Sequence, residues 1–132
     1  MRAAGEAVLS TGAGHKKKTY EKGVWAECLA GFYLNMRGYK IVARRYKTQH
    51  GEIDLIAERG EVLAIVEVKA RGSIERALES VDIRTQRRIA NAALMFLAER
   101  PEYADRAIRF DVIAVESPVK IVHLDNAWDA GP

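Results

Sequence analysis

The sequence predicts a single-domain α/β fold: a mixed five-stranded sheet flanked by helices, in the order α-β-β-β-α-β-β. Three observations predict it. Apolar residues between Tyr20 and Arg37 recur at spacings of three and four, the helical period, whereas those from Lys40 to Ala70 come in short runs broken by glycine-containing turns. The connections between those runs are too short for anything but antiparallel neighbours. A second helical pattern, from about Asp82 to Ala98, then separates the third run from two more, which favours a parallel, right-handed crossover.

The first helix is expected over Tyr20 to about Arg37, with Trp25, Leu29, Phe32, Tyr33 and Met36 gathered on its packed face and Gly38 as C-cap. Lys40 to Lys47 reads as the first strand, and Thr48-Gln49-His50-Gly51 turns it into the second, Glu52 to Glu58. Arg59-Gly60 leads into the third, Glu61 to Ala70. A short helical turn is allowed before the second long helix, whose buried stripe is Ile89, Ala93, Phe96 and Leu97 and which Pro101 ends. Arg106 to Glu116 and Val119 to Leu124 supply the last two strands, separated by Ser117-Pro118.

At 132 residues and 48% hydrophobic, the chain suits one domain and is too short for two. Residues 1–19 read as a disordered, Gly-, Ala-, Ser- and Lys-rich arm, and 20–132 as the folded domain. Glu6 interrupts the Ala-rich start, which argues against a signal peptide, and no apolar run approaches the roughly 18 residues of a membrane span. A lone cysteine, Cys28, excludes an internal disulfide and reads as a packed core thiol. A cytoplasmic protein without membrane contact is expected. The net charge of +3 is compatible with nucleic acid but decides little, since many enzymes share it.

The informative stretch is GEIDLIAERGEVLAIVEVKARG, residues 51–72. It is the most hydrophobic part of the chain, yet it carries Asp54, Glu67 and Lys69 within its strands. Strand side chains alternate, so Val62, Ala64, Val66 and Val68 share one face while Leu63, Ile65, Glu67 and Lys69 share the other. Symmetric pairing about Arg59-Gly60 sets Asp54 near residues 65 to 67, although a slip of one residue would turn it to the opposite face. Adjacent buried acids repel, and a divalent cation resolves that conflict. Mg²⁺ takes one or two carboxylates and keeps several waters, one of which it can acidify beside a phosphodiester. Lys69 is then suited to orienting the attacking water or offsetting negative charge. On residues alone, a solvated strand end with Asp54 paired to an arginine stays equally open.

Gly51-Glu52-Ile53-Asp54-Leu55-Ile56, Val66-Glu67-Val68-Lys69-Ala70-Arg71 and Arg109-Phe110-Asp111-Val112 resemble the hallmark segments of the bacterial YraN-like family. The order of an acid on a first helix, Asp on one strand, Glu-x-Lys on the next and a following helix resembles the PD-(D/E)XK nuclease superfamily. The resemblance covers about Tyr20 to Asp125. It implies a restriction-endonuclease-like core similar to that of archaeal Holliday-junction resolvases. It also implies Mg²⁺ or Mn²⁺ at Asp54, Glu67 and Val68, Lys69 as catalytic lysine, and Glu27 as an additional acid beside the metal. Gln86 on the second long helix is implied as an auxiliary residue, although Thr85 stands where relatives often carry lysine.

Basic clusters at His15 to Lys18, at Arg44, Arg45 and Lys47, and at Arg84, Arg87 and Arg88 are candidate phosphate contacts, as is Arg71 after the catalytic strand. Taken singly, each cluster reads more readily as a solvated surface, Arg87-Arg88 less so because it sits at a helix start after the catalytic strand. Asp111 reads as a structural ion pair, because a lone buried carboxylate needs a partner. Tyr39 and Tyr46 read as packing residues. The expectation is a Mg²⁺-dependent endonuclease on DNA, branched or junction-containing DNA included, with a homodimer compatible with paired cuts. The alternative is a nucleic-acid-binding or assembly module on a nuclease-like scaffold without turnover, and a weaker third reading is a protein-interaction adaptor.

Overall fold

Eight main elements follow one another in a computed structural model that describes residues 12–129, with side-chain surroundings from residue 23 onward. They are α1 (Gly12–Met36), β1 (Lys40–Lys47), β2 (Glu52–Arg59), β3 (Val62–Lys69), α2 (Ile74–Glu79), α3 (Ile83–Glu99), β4 (Ala107–Ser117) and β5 (Lys120–Trp128). Residues 1–11, which hold most of the expected N-terminal arm, lie outside the described residues, as do the side chains of the His15–Lys18 cluster. Among the described residues no helix is long and apolar enough to cross a membrane.

The sheet runs β1-β2-β3-β4-β5 in space as in sequence. Its first three strands form the expected antiparallel meander, β3 and β4 pair in parallel, and β5 returns antiparallel to β4. Gly60 turns β2 into β3 at φ +61°, where an L side chain would be strained. Ser73 caps α2 by accepting from the Arg76 N–H, and Asp82 caps α3 by accepting from the Thr85 N–H. Asp82 therefore precedes the helix instead of opening it.

Helices cover both faces. Ile56, Leu63, Ile65, Phe110, Val112 and Ala114 pack under α2 and α3, against Ala77, Ile89, Ala93 and Phe96. Leu55, Ala57, Ala64, Val66, Val68, Ile113 and Val115 pack under α1. The alternation expected for β3 holds: Val66 and Val68 meet α1 while Leu63 and Ile65 meet α3.

Four expectations are corrected. Helix α1 begins at Gly12, well before Tyr20. Its buried stripe is Ala26, Ala30 and Leu34, and Phe32 and Met36 are 66% and 74% exposed. Both stripes have helical spacing; the one with small residues lets the helix axis lie close on the sheet, and Leu34 alone contributes roughly 1.5–3 kcal/mol by burial. Cys28 is exposed and not a core thiol. Strand β5 also runs on to Trp128, past the expected end at Leu124.

Candidate functional site

Register decides where Asp54 points. Leu55 pairs with Val66 and Ile56 with Ile65, so the next residues outward, Asp54 and Glu67, stand opposite each other. Backbone pairing of β2 and β3 stops at Leu55 and Val66, and beyond it the Asp54 Oδ2 accepts a hydrogen bond from the Val68 N–H at 2.8 Å. The Lys69 ammonium lies 3.2 Å from Glu67 Oε2, with side chains 22% and 11% exposed. Asp54, Glu67 and Lys69 thus meet at one end of the sheet. Ile53 and Ile56 pack in the same cluster although Leu55 packs in the other, so strict alternation fails at Asp54, the residue whose facing period-two reasoning alone could not guarantee.

The electrostatics express the conflict that the sequence implied. Burial first, then the Glu67 charge, push Asp54 up to about 8, against the pull of the Val68 N–H. Burial also raises Glu67, opposed by Lys69. Two adjacent acids with one nearby ammonium favour sharing a proton. A hard cation in place of that proton would satisfy both carboxylates, so the donor set suits Mg²⁺ or Mn²⁺. Valine has no side-chain donor, so only the Val68 backbone carbonyl could serve as a ligand, while its side chain packs under α1.

Glu27, on α1, is near enough for its charge to raise both Asp54 and Glu67. Its Oε1, however, accepts from Arg45 Nε at 2.7 Å. Among the described residues no group of three or more His, Cys, Asp and Glu side chains is arranged to hold a metal ion. The expected auxiliary Gln86 is half-buried at the start of α3, and its amide donates to the Val81 carbonyl at 3.0 Å. That bond anchors the α2–α3 junction; no contact of Gln86 with the acids accompanies it.

The basic residues divide into engaged and presented groups. Arg88 Nε donates to the His50 carbonyl at 2.9 Å and ties α3 to the β1–β2 turn. Lys47 lies 3.8 Å from Glu52. The Arg44 guanidinium lies over Gly31 on α1, so close that a Cβ there would approach its Nη1 to 2.9 Å. Arg71 donates weakly to its neighbour's Ala70 carbonyl, and Arg71, Arg84 and Arg87 are exposed. The β1–β2 turn, the start of β2 and the end of β3 lie at the same end of the sheet, so Lys47, Arg71 and Arg88 border the acids' end of the molecule.

Asp111 makes the structural pair expected of it. Fully buried, it accepts from Arg109 Nε and Nη2 at 2.9 and 2.8 Å and from the Asn126 N–H at 3.1 Å, and it contacts His123 Nε2 at 2.8 Å. Burial would raise its carboxyl, but these bonds hold it below the ordinary carboxylate range. The His123 partnership was not anticipated, although its spacing of two from Ile121, which packs under α1, was a readable sign of facing. The Arg45–Glu27 pair was also missed, and no local pattern announces it. Tyr39 is buried, and Tyr46 packs edge-on against Phe96 and bonds to Glu99, as packing residues should. A cavity of about 480 Å³ lies apart from the acids, between α3 and the β4–β5 pair, lined in part by Leu94, Phe110, Asn126 and Trp128.

Comparison with known proteins gives a consistent match. Residues 26–115 match the family described as "Uncharacterised protein family UPF0102". A UPF0102 protein of Chelativorans sp. (strain BNC1) is 46% identical across 87% of this chain and 93% of the relative. One from Rhodopseudomonas palustris (strain BisB18) is 45% identical across 86% and 84%. Another, from Parvibaculum lavamentivorans, is 47% identical across 83% and 82%.

Proposed function

The chain belongs to the UPF0102 family, and we propose that it is a divalent-metal-dependent endonuclease of the PD-(D/E)XK type that hydrolyses DNA phosphodiesters, branched or junction-containing DNA among them. The observation that carries this reading is the meeting of Asp54, Glu67 and Lys69 at one end of the sheet, with Val68 N–H bonded to Asp54. A restriction-endonuclease-like core, as in Holliday-junction resolvases, is the fold that goes with it.

Asp54, Glu67 and the Val68 carbonyl would hold Mg²⁺ or Mn²⁺. Such an ion supplies a Lewis acid for a phosphoryl oxygen and an acidified water. The Val68 N–H fixes one Asp54 oxygen and so orients the other. Lys69, held on Glu67, orients the attacking water and offsets negative charge as the pentacoordinate centre forms. One water is consumed and one ester P–O bond breaks, giving a phosphomonoester and a free hydroxyl with no covalent enzyme adduct. Exposed Arg71 and Arg87, with Arg44, Lys47 and Arg88, supply sequence-independent contacts to the phosphate backbone.

A second reading, a DNA-binding or assembly module without turnover, is favoured by one observation: among the described residues no three acids converge as a metal cage, and Glu27 is engaged by Arg45. Fold and chemistry can separate in this way. Cleavage of linear, nicked and four-way-junction DNA with Mn²⁺ tests the two. Cutting by wild type that vanishes in Lys69→Ala supports the nuclease; salt-sensitive binding with no cutting of any substrate replaces it with the second reading.

A further inference from the structure

Arg45 has a backbone φ of +48°, and the other described non-glycine residue with positive φ is Asn126. Asparagine tolerates that region, whereas a long side chain there costs roughly 1–2 kcal/mol. Such a conformation persists only where surrounding contacts over-determine it, and it tends to occur at functional sites. One contact at Arg45 is the 2.7 Å bond from its Nε to Glu27 Oε1, in a pair whose side chains are 34% and 18% exposed.

Its position is specific. Arg44 pairs with Leu55 and Tyr46 with Ile53, so Arg45 stands opposite Asp54. The left-handed residue breaks the regular alternation of β1 at the strand position that faces the acid pair. Glu27 is close enough for its charge to act on Asp54 and Glu67, yet its carboxylate is directed to the guanidinium. That is a different role from the metal-side acid which the resemblance implied for it.

We infer that Arg45 is a positioning residue: its strained backbone aims the guanidinium at Glu27, offsets the charge of that carboxylate and holds it off the Asp54–Glu67 pair, so that Glu27 is not a ligand of a bound cation. This rests on the reading of Asp54 and Glu67 as a cation site. Without the guanidinium, Glu27 is free to join the pair as a third carboxylate, and a hard cation gains an oxygen ligand.

The test is Mn²⁺ binding by the full chain, measured by titration calorimetry and by the free-Mn²⁺ electron spin resonance signal. Variants are Arg45→Asn, Glu27→Gln and the double substitution. Asparagine is chosen because it accepts the left-handed backbone, so a loss of fold is not expected. Arg45→Asn should tighten Mn²⁺ binding by about tenfold, equivalent to about 1.4 kcal/mol. Glu27→Gln alone should change affinity by less than about threefold, and the double variant should return to within about threefold of wild type, since the gain in Arg45→Asn depends on Glu27. Tightening of less than about threefold in Arg45→Asn, or weakening of more than about threefold in Glu27→Gln, overturns the inference. Absence of Mn²⁺ binding by wild type removes the cation-site reading itself and the inference with it; wild-type binding with a flat Arg45→Asn response removes the inference alone.

Discussion

The Asp54 carboxylate accepts the Val68 backbone N–H at 2.8 Å just beyond the last backbone pair of β2 and β3. A side chain thus takes over where the ladder ends. The strands are held together without a further backbone pair, and the acid is fixed beside Glu67 by a bond that belongs to the sheet itself. Sheet closure and acid placement are one event, which gives the first prediction.

Asp54→Asn keeps an oxygen for the Val68 N–H but removes the charge conflict with Glu67. Folded Asp54 holds its proton up to about 8, against about 4 in an unfolded chain. Because the folded value is raised, its protonated form stabilises the fold fully below about pH 4, and this is lost as pH rises through about 8. In metal-free protein Asp54→Asn should therefore melt higher than wild type by several degrees or more at pH 8–9, on the order of a few kcal/mol, and show no advantage near pH 4. Saturating Mn²⁺ should stabilise wild type only. Scanning calorimetry with and without Mn²⁺ reads both effects; a variant that melts lower at pH 9 without metal contradicts the charge conflict.

Lys69→Ala should reduce DNA cleavage by about 10²–10³-fold, the usual loss for one group that stabilises developing charge. DNA affinity should stay within about threefold, because one partly buried ammonium paired to Glu67 contributes little to backbone contacts. Single-turnover cleavage and fluorescence anisotropy on the same substrate separate the two quantities.

Arg87 and Arg88 are neighbours with different work. Arg87→Ala should weaken DNA binding uniformly across sequences and lower the slope of log K against log salt by about 1. Arg88 donates to the His50 carbonyl, so Arg88→Ala should also loosen the β1–β2 turn. Faster amide exchange at residues 48–51 in Arg88→Ala and unchanged exchange there in Arg87→Ala is the expected pattern.

Asp111→Asn should destabilise the fold by about 3 kcal/mol, because it leaves the half-buried Arg109 against a neutral partner in place of a fully buried carboxylate. Asp111 is depressed in the folded state. The stability it confers is therefore present above the ordinary carboxylate pKa and is lost as pH falls toward the lower folded value. Wild type should lose stability below about pH 4, and the part of that loss due to this group should be missing in Asp111→Asn. Urea titrations from pH 3 to 7 measure the difference.

Much of this protein was legible in one dimension because its periods are clean. The turn at Arg59-Gly60 is tight, so counting outward from it put Asp54 beside residues 65–67, and the pairing of Leu55 with Val66 agrees. The face of β3 that carries Glu67 and Lys69 followed from period two alone. Helix α1 was harder. Trp25, Leu29, Phe32, Tyr33 and Met36 have the spacing of a buried stripe, and so do Ala26, Ala30 and Leu34; close approach to the sheet buries the second set fully, while Trp25, Leu29 and Tyr33 pack at its border and Phe32 and Met36 are exposed. Hydrophobicity is a property of residues, but fit is a property of two surfaces.

Sequence by itself determined the α/β class, the order of helices and strands along the chain, the antiparallel meander of the first three strands, and which ionisable residues sit within apolar strands, since backbone periodicity and turn length are local. Only tertiary structure decided what those charges meet: Arg45 on Glu27, Gln86 on Val81, Arg88 on His50, and His123 on Asp111. A charged side chain is long and its partner is chosen across space by distance and desolvation, quantities that come into being only when the strands and helices have docked.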